Sequence, residues 1–138
     1  MATQTQKARA ASDARERSID ARWLAFAGVY LMIGGVLNLI WGVTALTKDD
    51  YFVEDGLVWS TLNTWGWIAI LIAVVQIATG ALVYARRFGA TLVALLISMC
   101  AMVVNFTTVG AYPVWSCIAI VCNALVLWAV TVHSGATR

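Results

Sequence analysis

Apolar residues gather along this chain into four runs, residues 23–47, 66–85, 88–106 and 113–132, parted by short polar breaks. Each run is close to the ~20 residues an α-helix needs to cross about 30 Å of hydrocarbon. The pattern therefore predicts an all-α fold, an integral membrane four-helix bundle occupying residues 23–133. Only Arg86 and Arg87 stand between the second and third runs, and only a Thr-Thr-Val-Gly-Ala-Tyr stretch separates the third from the fourth. Connections this short make neighbouring helices antiparallel. The sizeable loop is residues 48–65, acidic through Asp49, Asp50, Glu54 and Asp55. Residues 1–22 are polar and read as a disordered tail, with a short helix from Ser12 to Arg22 only weakly signalled. That tail has no apolar core for a signal peptidase, so the first run is expected to stay as a span.

Composition removes the main competitor, a soluble domain. Of 138 residues, 62% are hydrophobic and 12% charged, with seven tryptophans and one proline. So apolar a chain belongs in a bilayer, and it is too short to add a separate catalytic domain. The formal net charge is only +2, and the basic residues flank spans rather than interleave with aromatics, which excludes nucleic acid as a partner. Their distribution instead sets orientation. Lys7, Arg9, Arg15, Arg17, Arg22, Arg86, Arg87 and Arg138 share one side, and Lys48 stands on the other. By the positive-inside bias, both termini are cytoplasmic and the acidic loop faces outward in the plasma membrane. Arg22, Arg86 and Arg87 act as topology anchors, because inverting the middle hairpin would drag two guanidinium groups through hydrocarbon. Aromatic residues fit this placement: Trp59, Trp65, Trp67, Tyr112 and Trp115 form an outer belt, and Trp23, Tyr84 and Trp128 an inner one. Pro113 suits the first turn of the last helix, where its missing N–H costs nothing.

Helices in lipid associate through close backbone approach and interhelical hydrogen bonds rather than by hiding leucine from water. Each run carries a suitable stripe at three- and four-residue steps. The first holds Gly28, Leu31, Gly35, Asn38, Gly42 and Ala45, and the second Gly66, Ala69, Ala73, Gln76 and Gly80. The third holds Ala90, Ala94, Ser98, Ala101, Asn105 and Thr108, and the fourth Ser116, Ala119, Asn123 and Val126. Gln76, Ser98 and Asn123 fall near mid-membrane and Asn38 about one turn outward of it, and all four are expected to point inward as an interhelical polar layer, since an amide facing acyl chains forfeits its hydrogen bonds. The main reading of that layer is polar glue; the second is a small polar cavity. Asn38 and Gln76 each precede a glycine by four residues, a weak hint of an internal repeat.

Most catalytic chemistry lacks its residues here. The spans carry no Asp, Glu, Lys or Arg to relay a driving proton, unlike small four-helix multidrug exporters. His133, the single histidine, lies at the end of the last run and reads as an interface residue. Cys100, Cys117 and Cys122 contain no Cys-x-x-Cys pair and read as small hydrophobes. No nucleophile–base or metalloprotease motif is present, and the acidic loop lacks the spacing of a known calcium loop. The expectation is a protein that is not an enzyme and uses no cofactor or metal.

With the spans placed, the stretches Trp23-Leu-Ala-Phe-Ala-Gly-Val-Tyr-Leu-Met-Ile-Gly-Gly, Thr64-Trp-Gly-Trp, Ala111-Tyr-Pro-Val-Trp-Ser and Trp128-Ala-Val-Thr-Val-His resemble a family of four-helix membrane proteins from actinobacteria that carries a domain of unknown function. The likeness covers residues 23–133, and the Trp-Gly-Trp and Tyr-Pro-Val-Trp pieces are its most specific marks. It implies topology and habitat without supplying an activity. Those marks place Trp65, Trp67, Tyr112 and Trp115 at the outer interface, as a belt or as an aromatic groove above the amides. Two functional readings follow. The first is a structural or accessory component acting through its helix faces on membrane lipids and on a membrane-protein partner or further copies of itself. The second is a binder or facilitator of a small lipophilic molecule, a lipid or quinone, using the groove and the amides.

Overall fold

A computed structural model describes residues 2–47, 62–87, 89–110 and 113–133. Four helices follow one another: α1 Ala2–Thr47, α2 Leu62–Tyr84, α3 Ala90–Thr108 and α4 Pro113–Val132. α1 packs most extensively on α2 and α3 on α4, and α1–α4 and α2–α3 contacts close the ring. Three helices are long and apolar enough to cross a membrane, while the apolar part of α3, Ala90–Phe106, is shorter. Most of the acidic loop, with Asp49, Asp50, Glu54 and Asp55, and also Lys48, Trp59, Tyr112 and Arg138, lie outside the described residues.

The chain departs from the sequence expectation at its start. Residues 2–22, read as a disordered tail, continue α1 as helix, and α1 is 46 residues long. The segment holds neither glycine nor proline and is rich in Ala and Arg, both strong helix formers. The apolar half of α1 supplies the nucleus, so each further residue adds a hydrogen bond without a new nucleation cost. Side chains 3–19 are exposed, so local propensity and not packing carries this part of the helix.

Between α1 and α2 the seam is built from residues without bulk. A Cβ added to Gly28 would stand 2.7 Å from the Gly80 carbonyl oxygen, and one added to Gly42 would stand 2.8 Å from that of Gly66. Gly35 lies between them, where a Cβ would meet the Ala73 carbonyl at 3.0 Å. The contacts recur at seven-residue steps in both helices, and the partners run down α2 as they run up α1. Such approach lets two backbones make van der Waals contact along their length, the main attraction between helices in lipid.

One end of the bundle is filled. Leu24, Ala27 and Leu31 of α1 meet Val83, Ala90, Ala94, Val126, Ala129 and Val130 in a single buried cluster. The α2–α3 turn lies at the same end. Arg87 N–H donates to the Leu82 carbonyl and Arg86 N–H to that of Val83, both at 2.9 Å. These two bonds form a Schellman cap, and Arg86 occupies its left-handed position at φ 58°. Glycine is the usual occupant there, and a residue with a Cβ is strained by roughly 1–2 kcal/mol.

Candidate functional site

Away from the filled end, α1 and α4 leave a partly open cleft of about 300 Å³. Tyr30, Gly34 and Asn38 reach it from α1 at four-residue steps, Gln76 from α2, Ala101 and Asn105 from α3, and Trp115, Ala119 and Asn123 from α4. Ile33, Leu37, Ile118 and Cys122 complete its walls. Of the four side chains expected in one polar layer, three fall into two bonded groups. Asn38 Nδ2 donates to Gln76 Oε1 at 2.8 Å, joining α1 to α2. Asn123 Nδ2 donates to the Tyr30 hydroxyl oxygen at 3.3 Å and to the Ala119 carbonyl at 2.8 Å, joining α4 to α1. Ser98 is fully buried but does not line the cleft, and its Oγ has no hydrogen-bond partner among the described residues.

Gly34 is what lets Gln76 reach Asn38. A Cβ at position 34 would stand 2.7 Å from Gln76 Nε2. Asn105 anchors its amide on its own helix by donating to the Ala101 carbonyl at 2.8 Å. Two threonine hydroxyls are satisfied in the same local way: Thr44 donates to the Ile40 carbonyl and Thr131 to that of Leu127. Such back-bonding makes a hydroxyl tolerable on a lipid-facing helix.

Of the four aromatic residues expected to form a groove, Trp115 lines the cleft. Trp65 is half-buried, and Trp67 is 63% exposed. Neither borders the cleft, and Tyr112 lies outside the described residues. Arg86 and Arg87 are exposed at the α2–α3 turn, and Arg22 is exposed beside Ile19, Trp23 and Phe26.

At the filled end a second polar contact joins the start of the apolar part of α1 to the end of α4. His133 Nδ1 lies 2.6 Å from Asp20 Oδ1. The imidazole stacks on Trp23 with planes 3° apart, and Trp128 meets both rings edge-on, at 4.7 Å from Trp23 and 4.9 Å from His133. His133 is buried, a packed ring with a carboxylate partner.

Sequence reasoning missed Tyr30, Gly34 and the Asp20–His133 pair. For the first two a signal was available: 30, 34 and 38 fall on one line of a helix, which meets the stripe of Gly28, Gly35 and Gly42 at Asn38. Tyr30 sits inside an apolar run, where a phenol ring counts as hydrophobic and its hydroxyl is easily overlooked.

A family model described as a domain of unknown function, DUF7144, matches residues 23–135. The chain belongs to this family. The DUF7144 match opens at Trp23, where α1 turns from polar to apolar, and takes in the cleft, its amides and His133. Asp20 and the rest of the polar half of α1 lie before it. No curated protein and no solved structure matches the chain.

Proposed function

We propose that this protein is a plasma-membrane component that crosses the bilayer four times as an antiparallel bundle with both termini in the cytoplasm. It acts without catalysing a reaction, as a structural or accessory element whose helix faces engage membrane lipids and a membrane-protein partner or further copies of the same chain. The observation that carries this reading is the exposure of large apolar side chains around the bundle, with smaller and polar ones inside it away from the filled end. Leu71, Leu96, Val103 and Phe106 are 62–76% exposed. In water so much exposed apolar surface would drive aggregation, and in lipid it is the ordinary exterior of a membrane bundle.

The orientation is supported by the Arg86–Arg87 turn, whose charged pair lies at the bundle end shared with Arg22. The actinobacterial resemblance bears on habitat alone. Native mass spectrometry of protein released gently from its own membrane tests the accessory role. A stoichiometric protein partner, or a defined number of copies, is the expected result. A chain that emerges as a monomer carrying lipids alone contradicts it.

A further inference from the structure

The side chains around the cleft retain hydrogen-bonding capacity that the protein does not use. Among the described residues, Gln76 Nε2, Asn38 Oδ1 and Asn123 Oδ1 make no hydrogen bond, and the Tyr30 hydroxyl accepts from Asn123 but donates to nothing. Polar groups left open at bilayer depth are strongly disfavoured unless water or a ligand meets them. The cleft's volume of about 300 Å³ lies at the small end of ligand pockets. It accommodates one ring or a compact head, not a whole lipid. Ile33, Leu37, Trp115 and Ile118 supply apolar wall beside the polar groups, and no lining residue carries a formal charge. An ionised head would enter with no counter-charge to replace its hydration.

We propose that this cleft binds an uncharged lipophile whose head carries carbonyl oxygens. Gln76 Nε2–H and the Tyr30 O–H donate to those oxygens, and the apolar body leaves between α1 and α4 along Ile33, Leu37 and Ile118. Gly34 is a positioning residue, because its missing Cβ leaves room for the Gln76 amide. A prenylated quinone ring and the ester carbonyls of a diacylglycerol share this chemistry. The proposal rests on membrane placement and is independent of the accessory role.

The test uses the full chain in dodecyl maltoside with menaquinone-4, dioleoylglycerol or dioleoylphosphatidylglycerol added, read by native mass spectrometry. The expected result is a one-to-one adduct with a neutral probe, and the probe that binds identifies the source. The anionic lipid binds more weakly. Binding falls at least tenfold in Gln76→Leu, Gly34→Ala and Tyr30→Phe. Gly34→Ala displaces only the flexible end of Gln76 and Tyr30→Phe keeps the ring, so both retain the wild-type circular dichroism and a cooperative melt, lowered by no more than the loss of one interhelical hydrogen bond. The proposal is overturned if neither neutral probe binds the folded chain, which makes the cleft a water site. It is equally overturned if folded Gly34→Ala and Tyr30→Phe bind as the wild type does, or if the anionic lipid binds as well as the neutral ones. Failure of the membrane reading shows itself differently, as a chain absent from the membrane fraction.

Discussion

Gly28 and Gly80 face each other so closely that a methyl group added to either would lie 2.6–2.7 Å from the other's carbonyl oxygen. In an ordinary helix interior, alanine in place of glycine gains up to about 1 kcal/mol of propensity. Here the clash is with backbone, which cannot turn aside, and overpacking of this kind costs about 1–3 kcal/mol. Gly28→Ala and Gly80→Ala should therefore lower the melting temperature in detergent. Gly89→Ala, at a position with open space around it and φ −42°, should leave it unchanged or slightly higher.

The Asn38–Gln76 bond gives a second expectation. Interhelical hydrogen bonds in membrane proteins contribute about 0.6–2 kcal/mol, so Asn38→Leu or Gln76→Leu should each destabilise by that order. Because the two amides share one bond, the double variant should lose less than the sum of the singles. A double-mutant cycle on unfolding free energies reads the coupling directly. Strict additivity would mean that the bond contributes nothing.

Arg86 sets backbone strain against charge. Its φ of 58° favours glycine, so Arg86→Gly should stabilise the α2–α3 turn by about 1 kcal/mol. On the proposed topology, the same change removes half of the charge that keeps this turn from crossing the membrane. Equilibrium unfolding and a topology assay should thus move in opposite directions: a more stable fold, and a larger fraction of chains inserted in the wrong orientation.

Asp20 ties the end of the polar half of α1 to His133, the residue that follows α4. A hydrogen bond of this kind contributes about 1 kcal/mol, which corresponds to roughly a fivefold change in a local opening equilibrium. Asp20→Ala should accelerate tryptic cleavage after Arg22 by about that factor while leaving the amide exchange of α2 and α3 unchanged. Equal cleavage rates would show that the ring stacking alone holds this end.

The architecture was legible because lipid imposes one rule on the whole chain. Long apolar runs give helices, and small or polar residues at three- and four-residue steps give their inward faces, so spacing alone places Gly28, Gly35, Gly42, Gly66 and Gly80. The helical start of α1 was not legible from that rule, because its exposed Ala- and Arg-rich sequence is equally consistent with coil until an adjoining helix nucleates it. Pairing was harder to read than facing. Periodicity turned Asn123 inward, but whether it meets Gln76 or Tyr30 depends on how far α1 and α4 diverge, and no helix carries that information in its own sequence. The Asp20–His133 contact spans the whole length of the bundle in sequence and leaves no local mark.

Four crossings with both ends inside is the claim on which the rest stands, and α3, with 19 residues, is where it is most exposed. Such a helix is about 28 Å long, just enough for the hydrocarbon. The decisive measurement is labelling of intact cells with a membrane-impermeant maleimide, using chains whose three native cysteines are replaced by alanine. One new cysteine is placed at Ser12, Asp50, Arg87 or Gly110. The account predicts labelling of Asp50→Cys and Gly110→Cys from outside, and of Ser12→Cys and Arg87→Cys only after the cells are opened. Protection of Gly110→Cys alongside Arg87→Cys would mean that α3 does not cross, and would contradict the account.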